Sequence, residues 1–223
     1  MYLNGVVIPQ VDQHKHLGVV FNERLSWSNH TDVIIAKAAK LIELIRRHRA
    51  RLPSLAIRSV YISYIRPILE YACIAWCGVS CTDSARLERL QRRAARLITG
   101  NAPRSDIDHE ILLARAGLQT LTERRVAEQI VFAFRFCHDL VPAHLSNALA
   151  HWRTPKSSRV SSLRNRHKVR LPAVKKSVFL KSPLYCSISH LNNLSISPDT
   201  SLSVSSLRRL ISQQSPSFQD AEQ

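Results

Sequence analysis

Arginines at helical spacing are the residues of this chain whose type and arrangement could do chemistry. Arg86, Arg89, Arg93 and Arg96 recur every three or four residues, so a helix would place them along one face. The positions one residue later form an adjacent apolar face; they are Leu87, Leu90, Ala94 and Leu97. Such a row can contact nucleic-acid phosphates, which position a duplex without reading its sequence. The alternative is that the row only solvates the helix.

The overall charge favours a polyanion as the partner. The chain has Lys+Arg 32 and Asp+Glu 16, a formal net charge of +16, and a surplus laid along helix faces is typical of nucleic-acid-binding proteins. The candidate nucleic-acid-binding residues are Lys15, Gly18, Lys37, Lys40, Arg47, Arg51, Arg86, Arg89, Arg92, Arg93 and Arg96. The next candidates are Arg164, Arg166, Lys168, Arg170, Lys175 and Lys176.

Residue patterns for catalysis and metal binding are missing from the sequence. It has no glycine-rich phosphate loop and no Gly-x-Ser-x-Gly turn. Asp106 and Asp108 share a polar loop, but helix capping by Asp106 explains them more simply than a metal does. Cys73, Cys77 and Cys81 lack a paired Cys-x-x-Cys motif, so we interpret them as small buried thiols. We therefore predict no catalytic residue, no metal site and no cofactor.

Hydrophobic periodicity predicts a mainly α fold with a small N-terminal β hairpin. The Asn4-Gly5 pair predicts the hairpin, and residues 16–21 are expected to form a further strand. The predicted helices are 28–51, capped by Ser28 or Thr31; 55–76, interrupted by Pro67; 83–100; 107–116; and a helix capped by Thr120 or Thr122 that ends near 137. A short helix is also predicted at 203–211. The expected core side chains of the 55–76 segment are Val60, Tyr61, Tyr64, Ile65, Ile68, Leu69, Tyr71 and Trp76.

These elements suggest three regions. Residues 1–27 form the β element, residues 28–150 a helical bundle, and residues 151–223 a basic, serine-rich and loosely ordered tail. The odd cysteine count, with no signal peptide ahead of it, indicates a reducing compartment, the cytoplasm or nucleus. No apolar run is long enough for a membrane span. The abrupt start suggests a piece of a longer protein.

Several short motifs resemble reverse transcriptases of non-LTR (LINE-like) retrotransposons. The string His14-Lys15-His16-Leu17-Gly18-Val19 is similar to their Lys-Tyr-Leu-Gly-Val strand, and Leu25-Ser26-Trp27 follows at a similar spacing. Further matching segments are His30, 64–71 with Trp76, 90–100, Leu118 with Leu121 and 123–125, and 191–194, which resembles the family's Trp-Asn-x-Leu-Pro. Their order and spacing are fairly specific, although His16 replaces an aromatic residue and 191–194 lacks the tryptophan and proline.

The resemblance implies a primer grip followed by a thumb and a C-terminal extension. The family's Tyr/Phe-x-Asp-Asp turn, which binds Mg²⁺ in the complete enzyme, is not in this sequence. We therefore predict a non-catalytic C-terminal fragment that binds RNA or an RNA/DNA hybrid, with a palm-containing polymerase chain as a further candidate partner. Gly18, which has no side chain, would let the backbone approach a primer strand closely.

Two alternatives stay open. The chain could be a polymerase subunit that works with a separately encoded palm. It could also be an unrelated basic helical protein that binds RNA or chromatin, or a scaffold.

Overall fold

The structure, a computed structural model, describes residues 2–3, 5–7, 9–100, 107–148, 171, 180–193 and 202–214. It confirms a mainly α fold with small antiparallel β elements at the N-terminus. The predicted hairpin is present, because β1 (Tyr2–Leu3) pairs with β2 (Val6–Val7). The predicted tail basics, from Arg164 to Lys176, and Asp106 lie outside the described residues.

The expected strand over residues 16–21 is wrong, because the chain reverses inside it. β3 (Gln13–His16) pairs with β4 (Val19–Asn22), with Lys15 opposite Val20. The two residues of the turn, Leu17 and Gly18, have φ of 45° and 87°. Positive φ at both positions is the requirement of a tight type I′ hairpin turn, whose twist matches that of the strands.

The first helix is shorter than expected and lacks the expected cap. α1 (Ser28–Arg47) is followed by a 3-10 turn, Arg49–Arg51, instead of continuing as α-helix. Neither predicted residue caps α1: the Thr31 hydroxyl donates to the carbonyl oxygens of Trp27 and Ser28, so it satisfies no N–H group.

The predicted helix 55–76 is divided into three parts. α2 (Ser54–Val60) leads into a π-helical turn, Tyr61–Ile65, and then α3 (Arg66–Glu70). Pro67 lies in the first turn of α3, where its missing N–H costs little. Residues 71–78 then form turns.

One face of this segment is buried, so only some of its expected core side chains lie in the core. The buried side chains are Ile57, Tyr61, Ile65, Leu69, Cys73 and Trp76. Val60, Tyr64 and Tyr71, which the sequence places in the core, are exposed because the other helices cover only one side. The buried side forms one core with α1 and with the next two helices.

The next three helices begin and end on side-chain signals in the sequence. α4 (Cys81–Thr99) begins after Ser80, whose Oγ accepts from the N–H of Asp83, and Gly100 closes it in the left-handed conformation. α5 (His109–Ala116) is capped by Asp108. α6 (Leu121–Cys137) is capped by Thr120, one of the two predicted caps, which forms a reciprocal capping box with Glu123.

Two helices of the predicted tail pack on α6. After α7 (Ala143–Ala148), these are α8 (Pro183–Asn193) and α9 (Val204–Gln214). Their apolar side chains form a second core with α6, from Phe134 on α6 to Ile188 on α8 and Leu207 on α9. The short helix predicted at 203–211 is therefore present, and α8 is ordered by burial of its apolar face rather than by high intrinsic propensity.

Candidate nucleic-acid interface

The arginine row lies on α4, and α4 lies beside α1 in the same direction. Near the start of both helices, the Ser28 hydroxyl donates to Asp83 at 2.8 Å. At their ends, Arg49 Nε donates to the carbonyl oxygen of Leu97 at 2.7 Å. The two helices thus present a common face whose basic residues come from both.

Arg86 is not a free member of the row. It donates to Asp32 on α1 at 2.6 Å and to Asp83 at 3.0 Å. These hydrogen bonds, first that of Asp32, raise the pKa of Arg86. Burial raises the pKa of Asp83, but hydrogen bonds from Ser80, Ser28 and Arg86 outweigh it and lower the pKa overall. The guanidinium of Arg86 therefore joins α1 to α4, although the sequence suggests that it binds phosphate.

Arg89 and Arg93 are the exposed members of the row. Their side chains face solvent while Leu87, Leu90 and Ala94 are buried, so the apolar face expected for α4 is present. In the described part of the chain neither arginine forms an ion pair; Arg89 has one weak hydrogen bond, from Nε to the Ala85 carbonyl at 3.4 Å.

The other two arginines of α4 border this pair. Arg96 is half-buried. Arg92 lies toward α5, where its Nε donates to His109 Nδ1 at 3.3 Å. Glu88, the acid nearest in sequence to the row, accepts instead from the N–H and hydroxyl of Thr122 at the start of α6. Glu88 is thus occupied by Thr122 and does not pair with the exposed Arg89 or Arg93.

A groove between the ends of α1 and α4 adds two arginines that sequence reasoning missed. It has a volume of about 500 Å³, with Ile42 and Leu97 as its apolar lining. The arginines that line it are Arg46, Arg49, Arg93 and Arg96. The sequence around Arg46 or Arg93 does not indicate that the two lie close together, because only the packing of α1 against α4 brings them to one groove.

Arg46 is partly neutralised within its own helix. It donates to both carboxylate oxygens of Glu43, at 2.6 and 2.8 Å. This hydrogen bond is the main cause that lowers the pKa of Glu43 to about 2. Glu43 therefore remains ionised at neutral pH and lowers the net charge at the rim of the groove.

The candidate residues on α1 and on the 3-10 turn after it do not line this groove. Lys37, Lys40, Arg47 and Arg51 are all exposed. Nine residues of helix separate Lys37 from Arg46, which rotates them to about 180° apart. Arg47 Nε lies 3.6 Å from Glu43. Within α1 the predicted residues Lys37, Lys40 and Arg47 therefore share one flank, and this flank differs from that of Arg46, which faces the groove.

The hairpin candidates lie at the other end of α1. Lys15 is exposed on β3. The N–H of Val20 on β4 donates to His30 Nδ1 at 3.3 Å, and α1 rises about 24 Å from His30 to Arg46. The hairpin and the groove could meet one nucleic acid only if it follows the length of α1.

The structure explains why residue 18 is a glycine without reference to nucleic acid. A Cβ at this position would lie 3.1 Å from Cε1 of Tyr71, and its φ is in the left-handed region. The Tyr71 hydroxyl donates to the carbonyl oxygen of Leu17 at 2.9 Å. The glycine is thus required by the turn and by the tyrosine, whether or not a primer strand approaches it.

Motif residues that suggest the family resemblance form a buried cluster around Trp76. Its indole N–H donates to the Tyr71 carbonyl at 2.8 Å, and the His30 ring meets it edge-on at 5.4 Å. The guanidinium of Arg125 lies 5.8 Å from the ring centre. Burial lowers the pKa of both His30 and Arg125. These residues hold the fold together and do not form a surface for a ligand.

Within the described ranges, no three histidine, cysteine or acidic side chains come together as a metal site. Cys73 is buried, and burial raises the pKa of its thiol to about 11. Cys77 is half-buried and Cys81 exposed, so only Cys73 fits the expected buried thiol. In the same part of the chain, we find no helix that is both long and apolar enough to cross a membrane.

Two curated proteins of Drosophila melanogaster are similar to this chain. The first, "Probable RNA-directed DNA polymerase from transposon X-element", is 34% identical over 105 residues, which are 45% of this chain and 11% of that protein. The second, "Probable RNA-directed DNA polymerase from transposon BS", is 28% identical over 100 residues, 44% of this chain and 11% of that protein.

These matches confirm the relationship to retrotransposon reverse transcriptases that the motifs indicate. The matched region spans about a tenth of the length of these relatives. No family model matches the chain. No solved structure matches it either.

Proposed function

We propose that this chain is a non-catalytic C-terminal part of a retrotransposon RNA-directed DNA polymerase, and that it binds RNA or an RNA/DNA hybrid through the common face of α1 and α4. The hairpin of β3 and β4 would act as the primer grip and the helices as the thumb. A chain that carries the palm would be its protein partner.

The observation that carries this proposal is the exposed pair Arg89 and Arg93 next to the groove. Neither is neutralised by a described carboxylate, and the groove brings two arginines of α1 and the 3-10 turn to the same face. Uncompensated guanidinium groups on a chain of net charge +16 attract phosphates and release the counterions that surround them.

Replacing both arginines, in Arg89→Gln/Arg93→Gln, is expected to weaken binding to duplexes of any sequence by roughly tenfold at low salt, about 0.7 kcal/mol for each arginine. The slope of log affinity against log salt should also fall by about 0.9 for each phosphate of B-form DNA that the variant no longer neutralises. Fluorescence anisotropy at several salt concentrations measures both quantities.

The matched control is Arg135→Gln/Arg209→Gln, which removes the same charge from exposed positions on α6 and α9. It should change affinity and slope much less. Melting curves confirm that each variant is folded, because arginine stems also pack over apolar neighbours. A folded Arg89→Gln/Arg93→Gln variant with unchanged affinity and salt slope would contradict the proposal.

We also infer that the chain does not polymerise by itself. Nucleotidyl transfer requires several acidic ligands that converge on Mg²⁺, and Asp32 and Asp83, two acids beside the arginine row, are instead held by Arg86. Purified protein should give no template-dependent primer extension on RNA with Mg²⁺ or Mn²⁺. Incorporation that depends on the template, and survives further purification, would overturn this inference.

A further inference from the structure

A second concave site lies at the opposite end of α1 from the arginine groove. It has a volume of about 710 Å³, within the range of small-ligand sites in proteins. The loop between β4 and α1, the turn before α4 and the start of the segment leading to α8 all contribute to its lining. Leu25, Ser26 and Trp27 of the matching motif line it, but the arginine row does not reach it.

The lining of this pocket is mainly apolar and aromatic. Phe21 and Trp27 meet edge to face at 5.5 Å, and Leu25 lines the pocket although 54% of its surface is exposed. A planar, apolar ligand would cover these side chains and could stack against an aromatic ring.

The loop that presents Leu25 is strained and fixed in place. Leu25 has φ of 50°, a conformation that L-residues with a Cβ rarely adopt. Asn22 holds it there, because its carbonyl oxygen accepts from the N–H of Leu25 and its side chain bonds both the N–H and the hydroxyl of Ser26. Strain that surrounding bonds enforce is typical of ligand-binding positions.

The charged residues of the pocket favour an anion. Arg24 and Lys181 line it and are exposed. Glu23 lies 3.7 Å from Arg24, but both side chains are solvated, so this pair is weak. Asp83, the acid in the lining, is buried and already accepts from Ser28, Ser80 and Arg86.

The wall formed by the C-terminal segment lies close against the turn before α4. A Cβ added at Gly78 would lie 2.8 Å from Cβ of Lys181 and 2.9 Å from its carbonyl oxygen. A side chain at residue 78 would therefore displace Lys181 from the turn that precedes α4. The pocket thus depends on a segment that lies beyond the helical region expected to bind nucleic acid.

We propose that this pocket takes one unpaired base of a single-stranded nucleic acid, with Arg24 and Lys181 contacting the flanking phosphates. The proposal rests on the proposed function. It adds a site that contacts the flat face of a base, whereas the arginine row contacts only phosphates of the nucleic-acid backbone. Every base has an apolar face, so we expect little sequence preference.

Trp27 fluorescence gives a direct readout in the full chain. In a Trp152→Phe background, the emitters are Trp27 and the fully buried Trp76. A short oligouridylate should quench Trp27, and it should bind about fivefold or more tighter than an abasic oligomer of the same length and charge. The Arg24→Gln/Lys181→Gln variant should weaken binding of both oligomers.

The diagnostic variant is Leu25→Asn. Asparagine tolerates the left-handed conformation, so melting should be unchanged or higher, while the preference for oligouridylate over the abasic oligomer should disappear. The control is Leu140→Asn, which changes a leucine of similar exposure outside the pocket and should keep the preference.

Each other outcome has a definite meaning. Equal, salt-dependent binding of both oligomers without quenching would overturn the pocket proposal and leave the proposed function standing. Binding of neither oligomer by a chain that still binds duplexes would overturn the pocket proposal alone, and loss of duplex binding as well would contradict both. Full quenching in Leu25→Asn would also overturn the pocket proposal. Quenching by an apolar glycoside detergent but not by oligouridylate would overturn the pocket proposal. It would show that the pocket takes an apolar group, such as a side chain of a protein partner, and not a base.

Discussion

Replacing Trp76 with alanine is expected to remove a large part of the free energy of unfolding. The indole is fully buried and contacts His30, Tyr71 and Arg125. Removing a buried Trp side chain costs about 3–5 kcal/mol, whereas a domain is typically stable by about 5–15 kcal/mol. Urea unfolding followed by circular dichroism should show a much lower midpoint, or no folded baseline.

Two milder variants separate the contributions of the ring. Trp76→Phe keeps an aromatic ring but removes the hydrogen bond to the Tyr71 carbonyl, so a smaller destabilisation of about 1–2 kcal/mol is expected. Trp27→Phe, at a half-exposed position, should change stability least. If Trp76→Ala melts within a few degrees of the native chain, the cluster around Trp76 does not hold the fold together.

The Glu70→Gln substitution is expected to lower the free energy of unfolding by about 2 kcal/mol, the effect typical of removing a hydrogen bond to a charged group. Glu70 on α3 accepts from both Nε and Nη2 of Arg124 on α6, the latter at 2.9 Å. Arg66 lies within 4.0 Å of the same carboxylate. All three side chains are mostly buried, so removing the charge leaves two guanidinium groups without their acid.

The control for charge alone is Glu23→Gln, which breaks a solvated pair with Arg24 and should cost less than about 0.5 kcal/mol. The double variant Glu70→Gln/Arg124→Gln should be destabilised by less than the sum of the two single variants, because the partners interact directly. Additive destabilisation in chemical unfolding would show that the pair does not couple α3 to α6.

Elements with a local cause were predictable from the sequence. The apolar and basic stripes of α4 follow from their helical spacing, and Gly100 ends the helix because glycine adopts positive φ without strain. The capping box at Thr120 and Glu123 depends on two residues three apart. Such signals lie within one turn of chain, so no tertiary information is needed to recognise them.

Features that depend on packing between distant segments were not predictable. Arg86 and Asp32 meet only because α1 and α4 lie side by side. The separation of Lys37 from the groove depends on which flank of α1 meets α4. Tyr71 is exposed, although it lies in an apolar run, because its hydroxyl and ring complete a hairpin turn formed 54 residues earlier.

The family motifs do not show which of their residues face solvent and which are buried. Their residues identify the relationship, but His30 and Trp76 prove to be packing residues. The exposed arginines that carry the proposed function include Arg89, whose solvent-facing position follows from helical period alone. The α4 part of the candidate site was thus predictable, whereas Arg46 on α1 and Arg49 in the 3-10 turn were not, because they approach the groove from other elements.

The π-helical turn at residues 61–65 has a geometric consequence for the helix that contains it. The buried side chains Ile57, Tyr61, Ile65 and Leu69 repeat every four residues, and in a pure α-helix such a series rotates by about 40° at each repeat. A π turn has more residues per turn than an α-helix. Four residues of a π turn therefore rotate by less than a full turn, and the series drifts back in the opposite direction. The π turn therefore cancels the accumulated rotation of the buried side chains around the helix axis. These side chains would otherwise wind around the helix, and they instead form a nearly straight ridge against the core.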